Sequence, residues 1–391
     1  MKRSLKLFLL FLVLVSHACT RSDSKRSNDT ILQAKPHDKE LVIGMVDAFS
    51  GPRAEFGNSA RNGVLLALDE WQSRGSLIQG RKLRISFFDD GADVARAKVG
   101  FESLMKEHNI VALIGPSSSL RSMALGPLVQ EKRVPMITPS STHPDVTSGK
   151  DYVFRACFVD TLQGQMMAQF VRKKLSIKRI GLLVDEDLVY SQHLAKVFAE
   201  TFIKLGGEIV GQEVYRGEKD MHFETQLRSL QLKKPDALYI PGFYSNLYQI
   251  VSQARNLGLK QTLLGGDGWD SDKFFEQAKG FLEGSYFSTH FSIQSTDPTF
   301  VAFKQAFEKK YKRVPNAFAA LAYDASLMLF EALSRASSLS SESIRDQLAA
   351  TERFAGATGL ISLDSSRNAV KPVTIMQIKS GNPRFETSYA P

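Results

Sequence analysis

Cysteine is almost absent from this chain of 391 residues, which contains two, Cys19 and Cys157. Cys19 follows an N-terminal apolar run, and Cys157 lies in the apolar stretch FRACFV, which is typical of a protein core. If Cys19 is modified, Cys157 has no partner and no intramolecular disulfide can form. We therefore expect a fold that is stable without disulfides and that buries Cys157.

The sequence also lacks the common motifs of catalytic and metal-binding sites. It contains no G-x-S-x-G, no H-E-x-x-H, no P-loop and no G-x-G-x-x-G. Its seven histidines show no paired spacing suited to a metal ion, and His143, beside a proline, is interpreted as a loop residue. A serine hydrolase would need a nucleophile, a base and an orienting group, which no pattern here supplies. We predict a protein that is not an enzyme and that carries no metal and no cofactor.

No strong excess of one charge is present, since 50 Lys and Arg stand against 41 Asp and Glu, for a formal net charge of +9. Three positive charges lie at Lys2, Arg3 and Lys6, so the rest of the chain carries about +6. The basic residues form no cluster and accompany no RNA- or DNA-binding motif. This balance predicts solubility and attraction to an anionic membrane surface, and it argues against nucleic acid binding.

Long hydrophobic runs are missing beyond the N-terminus. There, the apolar run 7–15 follows the basic residues and precedes small residues and Cys19, which is typical of a signal peptide over residues 1–18. The run is too short to span a bilayer in the mature protein. Its end resembles a bacterial lipobox, in which the cysteine is lipidated and becomes the mature N-terminus. The alternative is an ordinary secretory signal with an incidental cysteine.

The lipobox resemblance implies that Cys19 is lipidated and that the protein is anchored to a membrane, in the periplasm or at the cell surface. Residues 19–39 are polar and carry charges of both signs, so burial cannot offset the cost of ordering them. We therefore predict that these residues form a flexible tether between the anchor and the folded part.

Strand and helix patterns alternate after residue 40, which predicts an α/β fold of the doubly wound kind. Strands at 41–46 and 83–88 alternate with helices at 60–71 and 95–107, and a second series begins near residue 161. About 350 residues follow the tether, which exceeds one comfortable hydrophobic core and argues for two domains. Two later helical patterns without an intervening strand indicate that the chain returns to complete the first lobe.

Two short hydroxyl clusters, at residues 117–119 and 140–142, each follow a short apolar strand pattern, 111–114 and 134–137. A helical stretch joins the two strands into a βαβ unit, which brings both clusters to the carboxyl edge of the sheet, where ligands bind. Their hydroxyls and free backbone N–H groups suit a small anion such as a carboxylate. The alternative is that these residues only cap helices and turns.

Seven segments together resemble the type I periplasmic ligand-binding family, in particular the leucine/isoleucine/valine-binding proteins of ABC importers. They occur in the family's order over nearly all of residues 40–391: SGPRAEFG (50–57), IGPSSS (114–119), PMITPSST (135–142), Tyr190 with Ser191, ARNLGLKQTLLGGDGWDS (254–271), PNAFAALAYDA (315–325) and FAGATGLISLDSSRNAVKP (354–372). The resemblance implies two Rossmann-like, doubly wound lobes joined by three chain crossings. Lobe one would hold residues 40–159 and 291–369, and lobe two residues 160–290 and 370–391.

Positions that match the family's motifs imply roles for single residues. Ser118 matches a serine whose hydroxyl meets the ligand α-carboxylate. Ser140 matches a position whose backbone contacts the ligand, and Thr142 one whose hydroxyl and N–H do. In lobe two, Tyr190 matches a tyrosine that helps to close over the ligand, and Asp267 an acidic position that pairs with the α-ammonium. By its glycine neighbours alone, Asp267 also fits a turn.

Aromatic positions complete the site that the resemblance implies. Phe56 matches an aromatic wall of the side-chain pocket. Phe243 stands where the family often has a tyrosine, so one potential hydroxyl contact to the ammonium is lost, and the adjacent Tyr244 is expected to point elsewhere. Trp269 either walls the pocket or covers the hinge. Arg53 either approaches the ligand side chain or is a solvated surface residue.

These roles imply capture by closure of the two lobes. The protein would be a monomeric substrate-binding lipoprotein of an ABC importer, which captures an amino acid of the branched-chain type, or a related small molecule, and delivers it to the membrane permease. The alternative is a ligand-sensing receptor module of the same fold that binds an amide or another small carboxylate. Neighbouring permease genes would favour transport, and an adjacent histidine kinase gene would favour sensing.

Overall fold

The computed structural model describes residues 39–390, and their fold is α/β with two large sheets, as the sequence predicts. The first sheet is parallel, with the strand order β2-β1-β3-β4-β5. Its strands and the helices between them, in chain order, are β1 (Glu40–Asp47), α1 (Ala54–Ser73), β2 (Lys82–Asp89), α2 (Val94–His108), β3 (Ala112–Ile114), α3 (Ser119–Glu131), β4 (Met136–Thr138) and β5 (Val153–Arg155).

The second α/β series follows directly. Its elements are α4 (Asp160–Gln169), β6 (Arg179–Asp185), α5 (Val189–Lys204), β7 (Glu208–Tyr215), α6 (Glu224–Leu232), β8 (Ala237–Tyr239), α7 (Tyr244–Asn256), β9 (Thr262–Gly265), α8 (Asp272–Gln277) and β10 (Tyr286–Thr289). These five strands repeat the winding order of the first sheet, as β7-β6-β8-β9-β10. The similarity of the two halves is therefore one of architecture.

The last part of the chain serves both halves. It contains α9 (Pro298–Tyr311), α10 (Ala317–Arg335), α11 (Ser341–Ala349), a small antiparallel sheet of β11 (Phe354–Gly356), β12 (Gly359–Leu363) and β13 (Ala369–Val370), and then β14 (Val373–Lys379) and β15 (Asn382–Tyr389). α10 packs along α1, next to the first sheet. β14 and β15 extend the second sheet beyond β10 in antiparallel fashion.

The chain therefore passes between the two sheets three times: after β5, after β10 and before β14. We call the part built on the first sheet lobe one and the part built on the second sheet lobe two. Each crossing contributes an almost fully buried ionisable side chain, namely Cys157, His290 and Lys371 in turn. A buried lysine or histidine is unusual in a dry interior, so the three crossings, which form the hinge between the lobes, are a place to look for function.

The helix α10 is held against α1 by a close approach of the two backbones. A Cβ atom at Gly63 would lie 2.1 Å from the carbonyl oxygen of Ala319, so a glycine is required there. Of the described helices, α10 is the one that is long and apolar enough to cross a membrane, and 89% of its most apolar stretch is buried within the protein. It is therefore a core helix of lobe one.

One helix begins several residues before its predicted start. α1 begins at Ala54 and not at residue 60, and within it Gly57 lies so close to Ala48 that a Cβ atom would approach the Ala48 carbonyl oxygen to 1.9 Å. A glycine in this stretch suggests a loop from sequence, but here it permits close packing. α4 begins at Asp160 and passes into a π-helical turn, Phe170–Lys174.

Candidate ligand-binding site

The Ser118 hydroxyl is available to a ligand. Ser118 is the N-cap residue of α3, yet its side chain does not cap the helix. Within residues 39–390 this hydroxyl makes no hydrogen bond, although only 5% of the residue is exposed. A buried hydroxyl normally has a partner, and the first backbone N–H groups of a helix favour an anion. The capping alternative is therefore wrong for Ser118.

The other serines of the two clusters tie the two loops to each other. The Ser140 hydroxyl donates to the carbonyl of Ser117 at 3.1 Å. The Ser119 hydroxyl accepts the backbone N–H of His143 at 3.2 Å. These bonds make one unit of the loops after β3 and β4, and they leave the Ser140 side chain occupied. A contact from Ser140 to a ligand would therefore come from its backbone, as the resemblance implies.

A buried ionic group supports this unit from behind. Arg121 of α3 bonds the Asp90 carboxylate at 2.6 Å and the Asp47 carboxylate at 3.0 Å, and all three side chains are almost completely buried. Asp47 in turn accepts the Ser117 backbone N–H at 3.1 Å and the Ser117 hydroxyl. The first hydroxyl loop is thus fixed to β1 and to the end of β2 through charge-assisted bonds.

On lobe two, Asp267 lies directly after β9, at the strand end where the sequence places it. It is 4% exposed. The Tyr190 hydroxyl donates to its Oδ1 at 2.8 Å, and Nε2 of His290 lies 3.1 Å from its Oδ2. The Asp267 backbone N–H is held by the side-chain oxygen of Gln163 at 2.9 Å. The structure therefore brings Tyr190 and Asp267 together and adds His290, which the sequence did not suggest.

A second acid, Asp160, belongs to the site and was missed. It starts α4 at the first chain crossing and is fully buried. Gln163 donates to its Oδ1 at 3.0 Å, while its Oδ2 has no hydrogen-bond partner in the described part of the chain. Burial raises the pKa of Asp160 well above its ordinary value, the nearby charge of Asp267 raises it further, and the Thr142 hydroxyl partly offsets both effects. Its place just after the apolar FRACFV stretch was the available signal.

Thr142 connects the hydroxyl loops to these acids. Its carbonyl accepts the Asp160 backbone N–H at 2.9 Å, and its hydroxyl lowers the pKa of the Asp160 carboxyl group. Lobe one thus contributes hydroxyls at Ser118 and Thr142, and the acids Asp160 and Asp267 lie beyond Thr142. Such an arrangement supplies donors for a carboxylate and acceptors for an ammonium group.

Aromatic rings from both lobes meet beside this polar group. Phe56 of lobe one stacks on Phe318 at a centroid distance of 3.7 Å and meets the edges of Phe243 at 5.7 Å and Tyr244 at 4.6 Å. Phe243 also stacks on Tyr190 at 5.0 Å. The structure therefore brings Phe56 and Phe243 together in one aromatic cluster and adds Phe318, a residue of α10.

The lobes are closed on each other in this structure. The Tyr244 hydroxyl of lobe two reaches lobe one, where it donates to the Pro52 carbonyl at 2.8 Å and accepts the Glu55 N–H at 3.2 Å. The Tyr244 hydroxyl therefore serves the contact between the lobes, at Pro52 and Glu55. Ser271 donates to the Glu55 carboxylate at 2.8 Å, and the rings of His143 and His193 lie 4.6 Å apart.

The positions of Arg53 and Trp269 bear on two further expectations. The Arg53 guanidinium lies 4.9 Å from the centre of the Phe243 ring, a cation–π contact between the lobes, so Arg53 is not simply a solvated surface residue. Trp269 is fully buried inside lobe two, packs on Phe274 at 5.4 Å and donates its indole N–H to the Ile240 carbonyl at 2.9 Å. Trp269 thus packs in the lobe-two core.

Within residues 39–390, no group of three or more His, Cys, Asp and Glu side chains could hold a metal ion. Cys157 is a free, fully buried thiol, and burial raises its pKa to about 12. Cys19 and the signal peptide lie outside the described residues.

Comparisons with known proteins agree with this geometry. A family model described as periplasmic binding protein matches residues 40–383. The chain is 27% identical over 303 residues to a Leu/Ile/Val-binding protein, BraC3, of Rhizobium johnstonii, with 76% of this chain and 80% of that protein covered. The fold of this chain matches that of a leucine-binding protein, LivK, of Thermotoga maritima with a TM-score of 0.86 at 32% identity, over 90% of this chain and 99% of the other.

A second solved structure, the branched-chain amino acid transporter substrate-binding protein LivJ of Streptococcus pneumoniae in complex with isoleucine, gives a TM-score of 0.85 at 32% identity, over 90% of this chain and 100% of that one. The names of the first two relatives describe binding proteins for branched-chain amino acids, and that of LivJ describes a transporter substrate-binding protein. The chain belongs to the periplasmic binding protein family, in its type I, Leu/Ile/Val-binding branch.

Proposed function

We propose that this protein binds a free amino acid with an apolar side chain between its lobes. The observation that carries the proposal is the pair of buried acids, Asp160 and Asp267. Neither lies within ion-pair distance of a lysine or arginine among the described residues, although the more distant charge of Arg155 also acts on Asp160. Buried negative charge needs a cation nearby, and an α-ammonium group would supply it. The amino-acid ligand named for the isoleucine-bound relative supports this reading.

The rest of the ligand follows from the groups around these acids. Its α-carboxylate would accept hydrogen bonds from the Ser118 hydroxyl, from Thr142 and from the backbone N–H of Ser140. Its side chain would lie against Phe56, Phe243 and Phe318, which offer no donor or acceptor to a polar group. Leucine, isoleucine and valine fit this description best.

We further propose that the protein delivers the amino acid to an ABC permease from a lipid anchor at Cys19, in the periplasm or at the cell surface. Closure would depend on the ligand, because hydroxyl donors of lobe one and Asp267 of lobe two together neutralise both of its charges. The closed form would dock on the permease, which reopens it.

The direct test is to identify the bound molecule. The protein is purified and denatured, and the released small molecules are analysed by mass spectrometry. A thermal-shift screen of the twenty amino acids follows, in which we expect leucine, isoleucine and valine to raise the melting temperature most, since a ligand that binds only the folded state stabilises it. A protein that releases no amino acid and is stabilised by none of the twenty would refute the proposal.

Replacing Ser118 with alanine should weaken amino-acid binding by about 1–3 kcal/mol, because the ligand carboxylate loses a buried donor. Titration calorimetry with the best ligand of the screen gives the change in affinity. Ser103→Ala, which removes an exposed hydroxyl bonded to Glu107 on α2, is the matched control and should bind as the wild type does. Equal affinities for both variants would show that Ser118 does not contact the ligand.

Amino-acid binding should release protons from Asp160. In the ligand-free site burial and the charge of Asp267 raise the pKa of Asp160, and a nearby ammonium group would lower it again. Because the free site then binds more protons than the complex, affinity should rise with pH through the pKa of Asp160 in the free protein. Calorimetry in phosphate and in Tris, which differ in ionisation enthalpy, measures the release. Asp160→Asn should abolish it, and equal heats for the wild type in both buffers would contradict the prediction.

A further inference from the structure

We propose that His290 is a positioning residue for ligand recognition: its Nε2–H fixes the Asp267 carboxylate and joins it to the second chain crossing. The inference rests on the proposed function, and it assigns a role to a residue at the hinge that the amino-acid site does not require for contact. It also gives a reason why a histidine is buried there.

The position of His290 follows from the register of lobe two. Parallel strands β9 and β10 are neighbours, and Gly265 pairs with Phe287. Asp267 comes two residues after that pair and His290 three residues after it, so both leave the sheet at the same edge. β10 ends at Thr289, and the chain then crosses to lobe one. His290 is thus the first residue of the crossing and is 3.1 Å from Asp267.

The surroundings of the ring define which nitrogen carries the proton. Nε2 faces an oxygen of Asp267, which can only accept, so Nε2 is the donor. Nδ1 is buried and has no hydrogen-bond partner within the described residues, which fits a neutral ring. Burial lowers the pKa of His290, which also favours the neutral ring. His290 therefore acts as a hydrogen-bond donor and leaves the negative charge of Asp267 for the ligand.

The ring of His290 is also held by a residue of another crossing. It stacks on Phe158, a residue of the first crossing, at a centroid distance of 3.8 Å and an angle of 24°. A side chain clamped in this way between two crossings can hold a carboxylate in one orientation, because its own freedom has already been lost in folding. With Tyr190 on one oxygen and His290 on the other, both oxygens keep lone pairs that an ammonium group can use.

Two variants separate positioning from simple filling of space. His290→Phe keeps a ring to stack on Phe158 but has no donor for Asp267. His290→Gln places an amide donor near the position of Nε2 and loses the ring. If His290 acts through its donor, the phenylalanine variant should bind the best amino acid of the screen about ten-fold more weakly, the loss of one buried hydrogen bond, while the glutamine variant should stay within about three-fold of the wild type.

The second readout is selectivity for the ammonium group. The affinity of each protein is measured by calorimetry for the amino acid and for the 2-hydroxy acid of the same side chain, which lacks the ammonium. We expect the ratio of the two affinities to fall about ten-fold in His290→Phe, because the loss is confined to the ligand that Asp267 recognises. A hinge residue that only filled space would lower both affinities together and leave the ratio unchanged.

The outcomes separate this inference from the proposed function. If the wild type binds no amino acid, the proposed function fails. If the wild type binds one and His290→Phe shows the same affinity ratio, the positioning role is overturned while the proposed function stands. Thermal unfolding of the ligand-free proteins checks that both variants fold, and should His290→Phe fail to do so, the ratio measured for His290→Leu decides in its place.

Discussion

Replacing Asp267 with alanine should weaken binding of the cognate amino acid by about 2–5 kcal/mol, the largest effect that we expect from a single residue of the site. The cost arises because the ligand ammonium would be enclosed in the closed cleft without its charged partner. Titration calorimetry measures the change, and Asp69→Ala, which removes an exposed acid paired with Lys310 on lobe one, is the control for a lost negative charge. We expect the control to bind as the wild type does.

The Asp267 variant also tests the assignment of charges within the site. Tyr190 and His290 lose their shared acceptor, so part of the effect is a reorganisation of lobe two and not a lost ligand contact. Asp267→Asn retains an acceptor oxygen and isolates the charge, and we expect it to lose most of the affinity as well. An unchanged affinity in either variant would show that the acid is not a ligand group.

Replacing Arg121 with methionine should lower the free energy of unfolding by about 3–5 kcal/mol, since it leaves Asp47 and Asp90 buried without a counter-charge. The methionine fills the space of the arginine side chain, so the loss reports charge more than volume. Urea unfolding followed by circular dichroism gives the value.

The control for Arg121 is Arg228→Met, which breaks an exposed pair with Glu224 one turn away on α6 and should change stability little. A loss in Arg121→Met no larger than in this control would mean that water or protonation of an aspartate relieves the buried charges. Arg121→Met should also loosen the loop of residues 117–119, because Asp47 holds both the N–H and the hydroxyl of Ser117.

The sequence predicts the parts of the site that depend on local order. Short apolar strands followed by hydroxyls indicate the carboxyl edge of a parallel sheet, and the structure places the first residues of both clusters at that edge. Asp267 follows β9 for the same reason. The motifs in SGPRAEFG, IGPSSS and PMITPSST give the family because their order along the chain is more specific than any one of them.

The sequence does not predict the contacts between segments that are distant from each other along the chain. Asp160 enters the site because the first crossing turns beside Thr142, and His290 because β10 ends next to β9. Tyr244 reaches Pro52 only when the lobes are closed, a geometry no local pattern encodes. Trp269, which the sequence left open between the pocket wall and the hinge cover, is directed into the lobe-two core by the turn after Asp267.

The single buried thiol has a practical consequence. Cys157 is fully enclosed and its pKa is raised to about 12, so a maleimide at neutral pH would leave it unlabelled in the folded protein. In protein produced without Cys19, a cysteine substituted for His193 would then be a unique attachment point for a solvent-sensitive dye. Because the ring at that position lies 4.6 Å from that of His143 in lobe one, the dye would change its emission as the lobes separate. The chain is by composition a ready scaffold for a reagentless fluorescent sensor of its own ligand.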